Sequence, residues 1–211
     1  MIWQLVKQLL PALLLLGVAS GFATWLKATK GRRGEAAVHK DITTFGAECI
    51  TDFIVPDGRG GLTQVDHVIK LPIGIGVIET KNYSGMIYGQ AKEASWTQVL
   101  GGKKSKFPNP LRQNFAHTEA IKKIVGRNVE VFGQVIFVGD ARFKEMPEGV
   151  SGLKELKTHL RMVAEMPIPP EVDLGWQVLK AAMLNDDESR KAHLALVKGK
   201  KERRRRPVEV G

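Results

Sequence analysis

The sequence predicts an α/β domain preceded by an apolar N-terminal segment and followed by a small helical extension. Two runs rich in β-branched residues, 63–70 and 75–81, flank a short Pro/Gly break, and a third run, Val135-Ile-Phe-Val138, follows an amphipathic stretch of helical spacing. The C-terminal third has helical spacing interrupted by Pro167, Pro169 and Pro170. With 211 residues, the chain has room beyond its N-terminal segment for one such domain and its extension.

Nineteen uncharged residues, Gln8 to Leu26, lie between Lys7 and Lys27. As a helix they would span roughly 30 Å of hydrocarbon, with Trp3 and Trp25 where interfacial aromatics belong. The small residues around Ala19 to Gly21 suit a cleaved signal peptide, but the apolar stretch runs on through Phe22, Ala23, Trp25 and Leu26, which favours an uncleaved anchor. Lys27, Lys30, Arg32 and Arg33 follow the span, against Lys7 and the terminal amine before it. The positive-inside bias then places the domain on the cytoplasmic side of the cell membrane, as a single-pass protein. A single cysteine, Cys49, excludes an intramolecular disulfide and, lacking an evident His partner, reads as a core residue rather than a nucleophile.

A helix is expected from Glu35 to about Thr44; a carboxylate in its first turn is favoured by the helix dipole with no chemistry required. Gly58-Arg-Gly-Gly61 is a flexible connection rather than a phosphate-cradling loop, so ATP is not implied. Next comes a hairpin, Thr63-Gln-Val-Asp-His-Val-Ile-Lys70 and Ile75-Gly-Val-Ile-Glu-Thr-Lys81, joined through Leu71-Pro-Ile-Gly74. A symmetric turn of two or four residues sets Asp66 opposite Glu79 and Gln64 opposite Lys81, all on one face. Directly opposed Cβ atoms lie roughly 5 Å apart, within reach of one ion. Two opposed carboxylates destabilise a sheet unless something neutralises them, and a divalent cation with oxygen ligands would do so. Lys81 beside it could orient or deprotonate an attacking water, or stabilise charge on a pentavalent phosphate. The competing reading is a solvated hairpin face with scattered charges; a one-residue bulge would send the carboxylates to opposite faces.

A second hairpin is expected over 95–107, turning at Gly101-Gly102, with Trp96 in the core or beneath it. Its Lys103, Lys104 and Lys106 could meet phosphates or simply solvate an edge. Asn109-Pro110 is an N-cap followed by proline at the first helical position, so Asn109 has a structural job. The helix it opens, Pro110 to about Val125, carries Leu111, Phe115, Ile121 and Val125 as its core-facing stripe. Gln113 is off that stripe, able to face a site or solvent. The strand over Val129 to Val138 has the composition of one buried inside a sheet. Helices are then expected over Gly152–Leu160, Asp173–Leu184 and Asp186–Val197, where no chemistry-bearing motif is evident. The histidines, at 39, 67, 117, 159 and 193, have no zinc spacing.

The formal net charge of +10 suggests a polyanionic partner, but residues 1–30 carry +3 and residues 198–211 carry +5, leaving +2 for the body. The tail Lys198-Gly-Lys-Lys-Glu-Arg-Arg-Arg-Arg206 suits a mobile arm on anionic lipid or nucleic-acid backbone, or a plain solvated end.

Gly31-Arg-Arg-Gly-Glu35, Thr63-Gln-Val-Asp-His67, Gly76-Val-Ile-Glu-Thr-Lys-Asn-Tyr-Ser-Gly85, Trp96 and Asn109-Pro-Leu-Arg-Gln113 occur in that order, and together they resemble the nuclease-related domain (NERD) family. The likeness covers roughly residues 31–150 and divides the chain into an anchor (1–29), the NERD domain (31–150), a helical extension (151–197) and a basic tail (198–211). It implies a restriction-endonuclease-like fold of the PD-(D/E)XK superfamily, a mixed sheet flanked by helices. By position, Asp66 matches the hairpin aspartate, Glu79 and Lys81 the (D/E)XK pair, Glu35 the acidic residue of the first helix and Gln113 the glutamine of the following helix. Val65 stands where the superfamily's proline would. The resemblance implies a nuclease that hydrolyses phosphodiester bonds of DNA, or of RNA, with Mg²⁺ or Mn²⁺ held by Asp66 and Glu79, and the uncharged N-terminal stretch adds a membrane anchor to it. The alternative is an inactive, membrane-tethered module that binds nucleic acid or docks a protein.

Overall fold

A computed structural model describes residues 29–184 and 186–203. The expected membrane span, 8–26, lies outside the described residues, and among those described no helix is long and apolar enough to cross a membrane. The chain forms a mixed α/β fold. Helix α1 is described over 29–44. It is followed by β1 (Cys49–Pro56), β2 (Leu62–Leu71), β3 (Gly74–Asn82), β4 (Gly85–Tyr88), β5 (Ser95–Leu100), β6 (Lys103–Pro108) and α2 (Pro110–Val125). Then come β7 (Val131–Val138), β8 (Ala141–Phe143), β9 (Val150–Gly152), α3 (Leu153–Val163), α4 (Pro170–Ala182) and α5 (Asp187–Arg203).

The strands make two mixed sheets, one ordered β1-β2-β3-β7-β9 and one ordered β6-β5-β4-β8. In the first, β1, β2 and β3 run antiparallel, and β3, β7 and β9 run parallel. The β2–β3 hairpin turns through Pro72-Ile73. Its exit residue, Gly74, has φ +132, and a Cβ there would come within 2.3 Å of the Glu130 carbonyl oxygen, so only glycine fits. β3 lies between two neighbours and two helical layers, which is why Gly74 to Thr80 are all buried.

One face of this sheet packs Val65, Val68, Ile75 and Val77 against Ile121 of α2 and against Val172, Trp176 and Leu179 of α4. The opposite face packs Ile69, Ile78, Ile136 and Val138 against Val38 and Ile42 of α1 and Leu156 and Leu160 of α3. Trp96 and Phe107 of the second sheet meet Val135 and Phe137 of the first in a third cluster, with Trp96 fully buried. Helices α3 and α4 thus complete the two main cores. α4 starts at Pro170 rather than Asp173, because Pro169 and Pro170 suit the N-cap and first helical positions instead of breaking the helix.

The stripe expected on α2 is wrong at one residue. Phe115 is 63% exposed, and the buried face comprises Pro110, Asn114, His117, Thr118, Ala120 and Ile121. Counting apolar residues misplaces this face because half of what it buries is polar. Asn114 Nδ2 donates to the carbonyls of Val77 on β3 (3.0 Å) and Gln134 on β7 (3.1 Å). Gly133 leaves room beside it: a Cβ there would lie 2.7 Å from Thr118 Oγ1. Asn109 caps the helix as expected, accepting from Leu111 N at 2.9 Å, and its amide also donates to the Gln90, Ala91 and Glu93 carbonyls. Asn114→Ala leaves two buried carbonyls without that donor and is expected to lower unfolding free energy by about 1–3 kcal/mol, read from urea denaturation.

Candidate functional site

The β2–β3 register agrees with the sequence reading wherever the strands pair: His67↔Ile78, Val68↔Val77, Ile69↔Gly76. The pairing stops at His67↔Ile78, so the expected cross-strand pairs Asp66↔Glu79 and Gln64↔Lys81 do not form as ladder pairs. Gln64 instead pairs with Ile54 of β1 and donates to the Asp52 carboxylate, and Lys81 pairs with Phe137 of β7.

The cause is an irregularity shared by β1 and β2. Their ladder skips Asp52 and Asp66, and Asp52 has the left-handed φ of +50. Val65 and Val68, three residues apart, both enter the same core, as do Phe53 and Ile50 across from them. Strict alternation would place each pair on opposite faces, so both strands switch faces at the two aspartates. Asp66 is thereby freed from the ladder, and its Oδ2 accepts the Thr80 backbone N–H at 3.0 Å. It lines a depression of about 350 Å³ together with Thr63, Gln64, Gln113 and His117.

Glu79 projects from the middle of β3 and is 1% exposed. Its Oε1 accepts from Lys81 Nζ, which also donates to Gln113 Oε1 of α2 at 3.3 Å. Its Oε2 has no hydrogen-bond partner; His117 Nε2 stands 3.5 Å away, a close electrostatic contact beyond good hydrogen-bond length. The other ring nitrogen of His117 shares a 2.8 Å hydrogen bond with Thr63 Oγ1. His117 was missed by the sequence reading, yet it follows Gln113 by four residues and so shares its helix face. That spacing is the signal that could have found it.

Glu35 is not in a first turn, since α1 is already helical at residue 29, so the helix dipole does not account for it. Gly34 lets α1 approach the ends of β3 and β7: a Cβ there would lie 2.8 Å from Asn82 Cβ and 2.9 Å from a Val138 methyl carbon. The Glu35 carbonyl lies 3.1 Å from His67 Nε2, and the Lys30 carbonyl accepts from Asn82 Nδ2 at 2.7 Å. The half-buried Glu35 carboxyl then lies within electrostatic reach of Asp66, Glu79 and Lys81. The structure thus brings together Asp66, Glu79, Lys81 and Gln113, with Glu35 at their border and His117 added behind them.

Burial, and then the charge of Glu79, raises the Asp66 carboxyl to about 7 despite the Thr80 N–H and Lys81. Burial also opposes charge on Glu79, but His117 and Lys81 outweigh it and hold this carboxyl below its ordinary range. The same pairing outweighs burial at Lys81 and raises its ammonium. Glu35 is raised by burial and by the charges of Asp52 and Glu79. Elsewhere, burial pushes the Cys49 thiol up to about 12, as suits a packing residue rather than a nucleophile. Among the described residues no group of three His, Cys, Asp or Glu side chains converges to hold a metal ion unaided.

The C-terminal helix also reaches the site, where the sequence offered no motif. His193, Leu196 and Val197 of α5 line the depression containing Asp66, and Arg190 ties the helix down through the Asp52 carboxylate (3.2 Å) and carbonyl (3.1 Å).

Residues 30–138 match the Nuclease-related domain (NERD) family. An uncharacterized protein of Bacillus anthracis is 35% identical over 111 residues, 51% of this chain and 52% of the relative. The chain therefore spans about half the length of the curated relative it matches. No solved structure matches.

The raised Asp66 carboxyl fixes a pH dependence. A folded value of about 7 against an ordinary value of 3.8 means that ionising Asp66 opposes folding. That cost is absent below pH 4, grows through the interval and is complete above pH 7. With a chelator present, Asp66→Asn is expected to match the wild type near pH 4 and to exceed it by up to roughly 4 kcal/mol at pH 8, at about 1.4 kcal/mol per pKa unit. Thermal or urea unfolding across that range reads the difference.

Proposed function

Because the chain belongs to the nuclease-related domain family, we propose that it is a metal-dependent nuclease hydrolysing phosphodiester bonds of DNA, with Asp66 and Glu79 holding Mg²⁺ or Mn²⁺. The observation that carries this reading is the pair itself: one carboxyl raised toward neutrality by burial and then by its neighbour's charge, the other buried with an oxygen that makes no hydrogen bond and has only His117 Nε2 near it, at 3.5 Å. A divalent cation relieves both conditions, and the all-oxygen donor set fits a hard ion. Two carboxylates leave such an ion's remaining positions to water and phosphate, consistent with the lack of a third protein ligand among the described residues. When bound there, such a cation would supply Lewis acidity to the phosphate and lower the pKa of a water so that it could be deprotonated near neutral pH.

The side chains supply the rest. Lys81, fixed between Glu79 and Gln113, has a donor to spare for the charge that builds on the phosphoryl oxygens. Gln113 spends its carbonyl oxygen on Lys81, leaving its amide N–H groups to orient water or a phosphate oxygen. Glu35, half-buried and raised, can take the proton released when water adds to phosphorus, while the departing sugar oxygen is protonated from solvent. The hairpin carrying Asp66 and Glu79-Thr-Lys81 in a mixed sheet flanked by helices supports placing the domain in the PD-(D/E)XK superfamily. Residues 8–26 would anchor it to the cell membrane with the domain facing the cytoplasm, and RNA is the alternative substrate.

The weakly basic body, the apolar N-terminal segment and the basic tail over 198–211 favour one other reading, a membrane-tethered module that binds nucleic acid without cutting it. Incubation of the full-length chain with plasmid and single-stranded DNA and Mg²⁺ or Mn²⁺ separates the two. The nuclease reading expects cleavage, lost in Glu79→Gln and reduced about 10²–10⁴-fold in Lys81→Ala. Cleavage at the wild-type rate in both variants sinks it, and binding without any cleavage selects the module.

A further inference from the structure

The lysines of the second hairpin have no part in the chemistry above, and their surroundings give them one. An open groove of about 700 Å³ runs between the hairpin and the start of α2, lined by Ser95, Lys106, Phe107, Asn109, Arg112 and Gln113. Gln113 also lines the depression that holds Asp66 and His117, so the two spaces meet at this side chain. We propose that Lys104, Lys106 and Arg112 bind the sugar–phosphate backbone of a nucleic-acid strand in this groove and lead the strand past Gln113 to Asp66 and Glu79. The inference rests on the nuclease-related reading and adds to it the path of the substrate.

Charge selects this groove over its neighbour. No carboxylate lines it. The depression on the other side of Lys106, which Lys106 and Ser95 also line, is of similar size but sets Glu93, Glu145 and Glu148 against Lys106 and Lys144, and that excess of carboxylates would repel a polyanion. Lys106 and Arg112 are exposed, and among the described residues neither forms an ion pair; Lys40 and Lys154 are likewise exposed and unpaired, so it is their place on the groove that sets Lys106 and Arg112 apart. Lys104 lies two residues before Lys106 on β6 and so shares its face, extending the line of cations away from the site. β6 is the edge of its sheet, where lysines also deter strand pairing, but that explanation does not reach Arg112 on α2. The backbone N–H groups of Leu111 and Arg112 at the start of α2 do not compete for the anion, since both donate to Asn109 Oδ1. Binding therefore falls to the side-chain cations, and it is independent of sequence and weakened by salt.

The test is fluorescence anisotropy of labelled single-stranded and duplex DNA with the full-length chain in detergent, with EDTA present and salt graded. Lys106→Gln/Arg112→Gln is compared with the wild type and with Lys40→Gln/Lys154→Gln, which removes the same charge from α1 and α3. The expected result is an affinity about tenfold or more lower for the groove variant alone, with the slope of log affinity against log salt shallower by about 1.4 on single strands or 1.8 on duplex. Equal affinity and slope in the two double variants, or no DNA binding by the wild type at low salt, overturns the proposal. If the groove variant loses affinity while the wild type never cleaves with Mg²⁺ or Mn²⁺, the track stands and the nuclease reading falls. If the wild type cleaves and the groove variant binds as the control does, the nuclease reading stands and the track falls.

Discussion

Glu79 is a carboxylate almost without water in the middle of a central strand, and much of the domain is arranged to make that tolerable. An isolated buried charge would neutralise itself or unfold its surroundings. Here Lys81, one pleat further along the same strand, takes one oxygen, and His117 comes close to the other from α2. Those contacts exist only because α2 sits tightly on the sheet, which in turn requires Asn114 to bind carbonyls of β3 and β7 and Gly133 to leave it space. The polar face of α2 thus answers the buried acid. The remaining debt falls on Asp66, whose carboxyl is raised by its own burial and then by the charge of Glu79. Such an arrangement sacrifices stability to hold two acids together without a cation, the usual mark of a site kept for chemistry.

The main elements were legible in the sequence because each is signalled locally. The Pro72-Ile73 turn fixed the hairpin register at every position where β2 and β3 pair, and Asn109-Pro110 fixed the start of α2. What was not legible depends on contacts distant in sequence. The face switch at Asp52 and Asp66 is a joint property of two strands, and alternation within one of them cannot reveal it. Phe115 was assigned to the core because periodicity counts apolar residues, whereas the docking face of α2 is chosen by the sheet's carbonyl groups. Glu35 looked like a helix opener because the helix begins further upstream, in a stretch whose Gly31 and Gly34 break the helical signal. Its carboxyl reaches the site because Gly34 lets α1 come close to β3 and β7.

The C-terminal third shows a different limit. Its helices were foreseen, with α4 beginning three residues early, but their role was not, since amphipathic spacing says that a helix packs and not what it covers. Trp176 of α4 is fully buried beneath the sheet and donates to Glu48 at 3.0 Å, so this segment belongs to the core of the domain. α5 supplies part of the wall of the depression that holds Asp66, through His193, Leu196 and Val197. Gln113 lines both this depression and the groove between the second hairpin and α2.

The central claim is that Asp66 and Glu79 form a divalent-cation site. Anomalous diffraction from crystals of the protein soaked in Mn²⁺ examines it most directly. The account predicts one strong peak between the two carboxylates, within bonding distance of an oxygen of each, that disappears in Asp66→Asn crystals. Mn²⁺ at saturating concentration with no peak there, or a peak unchanged by Asp66→Asn, would contradict it.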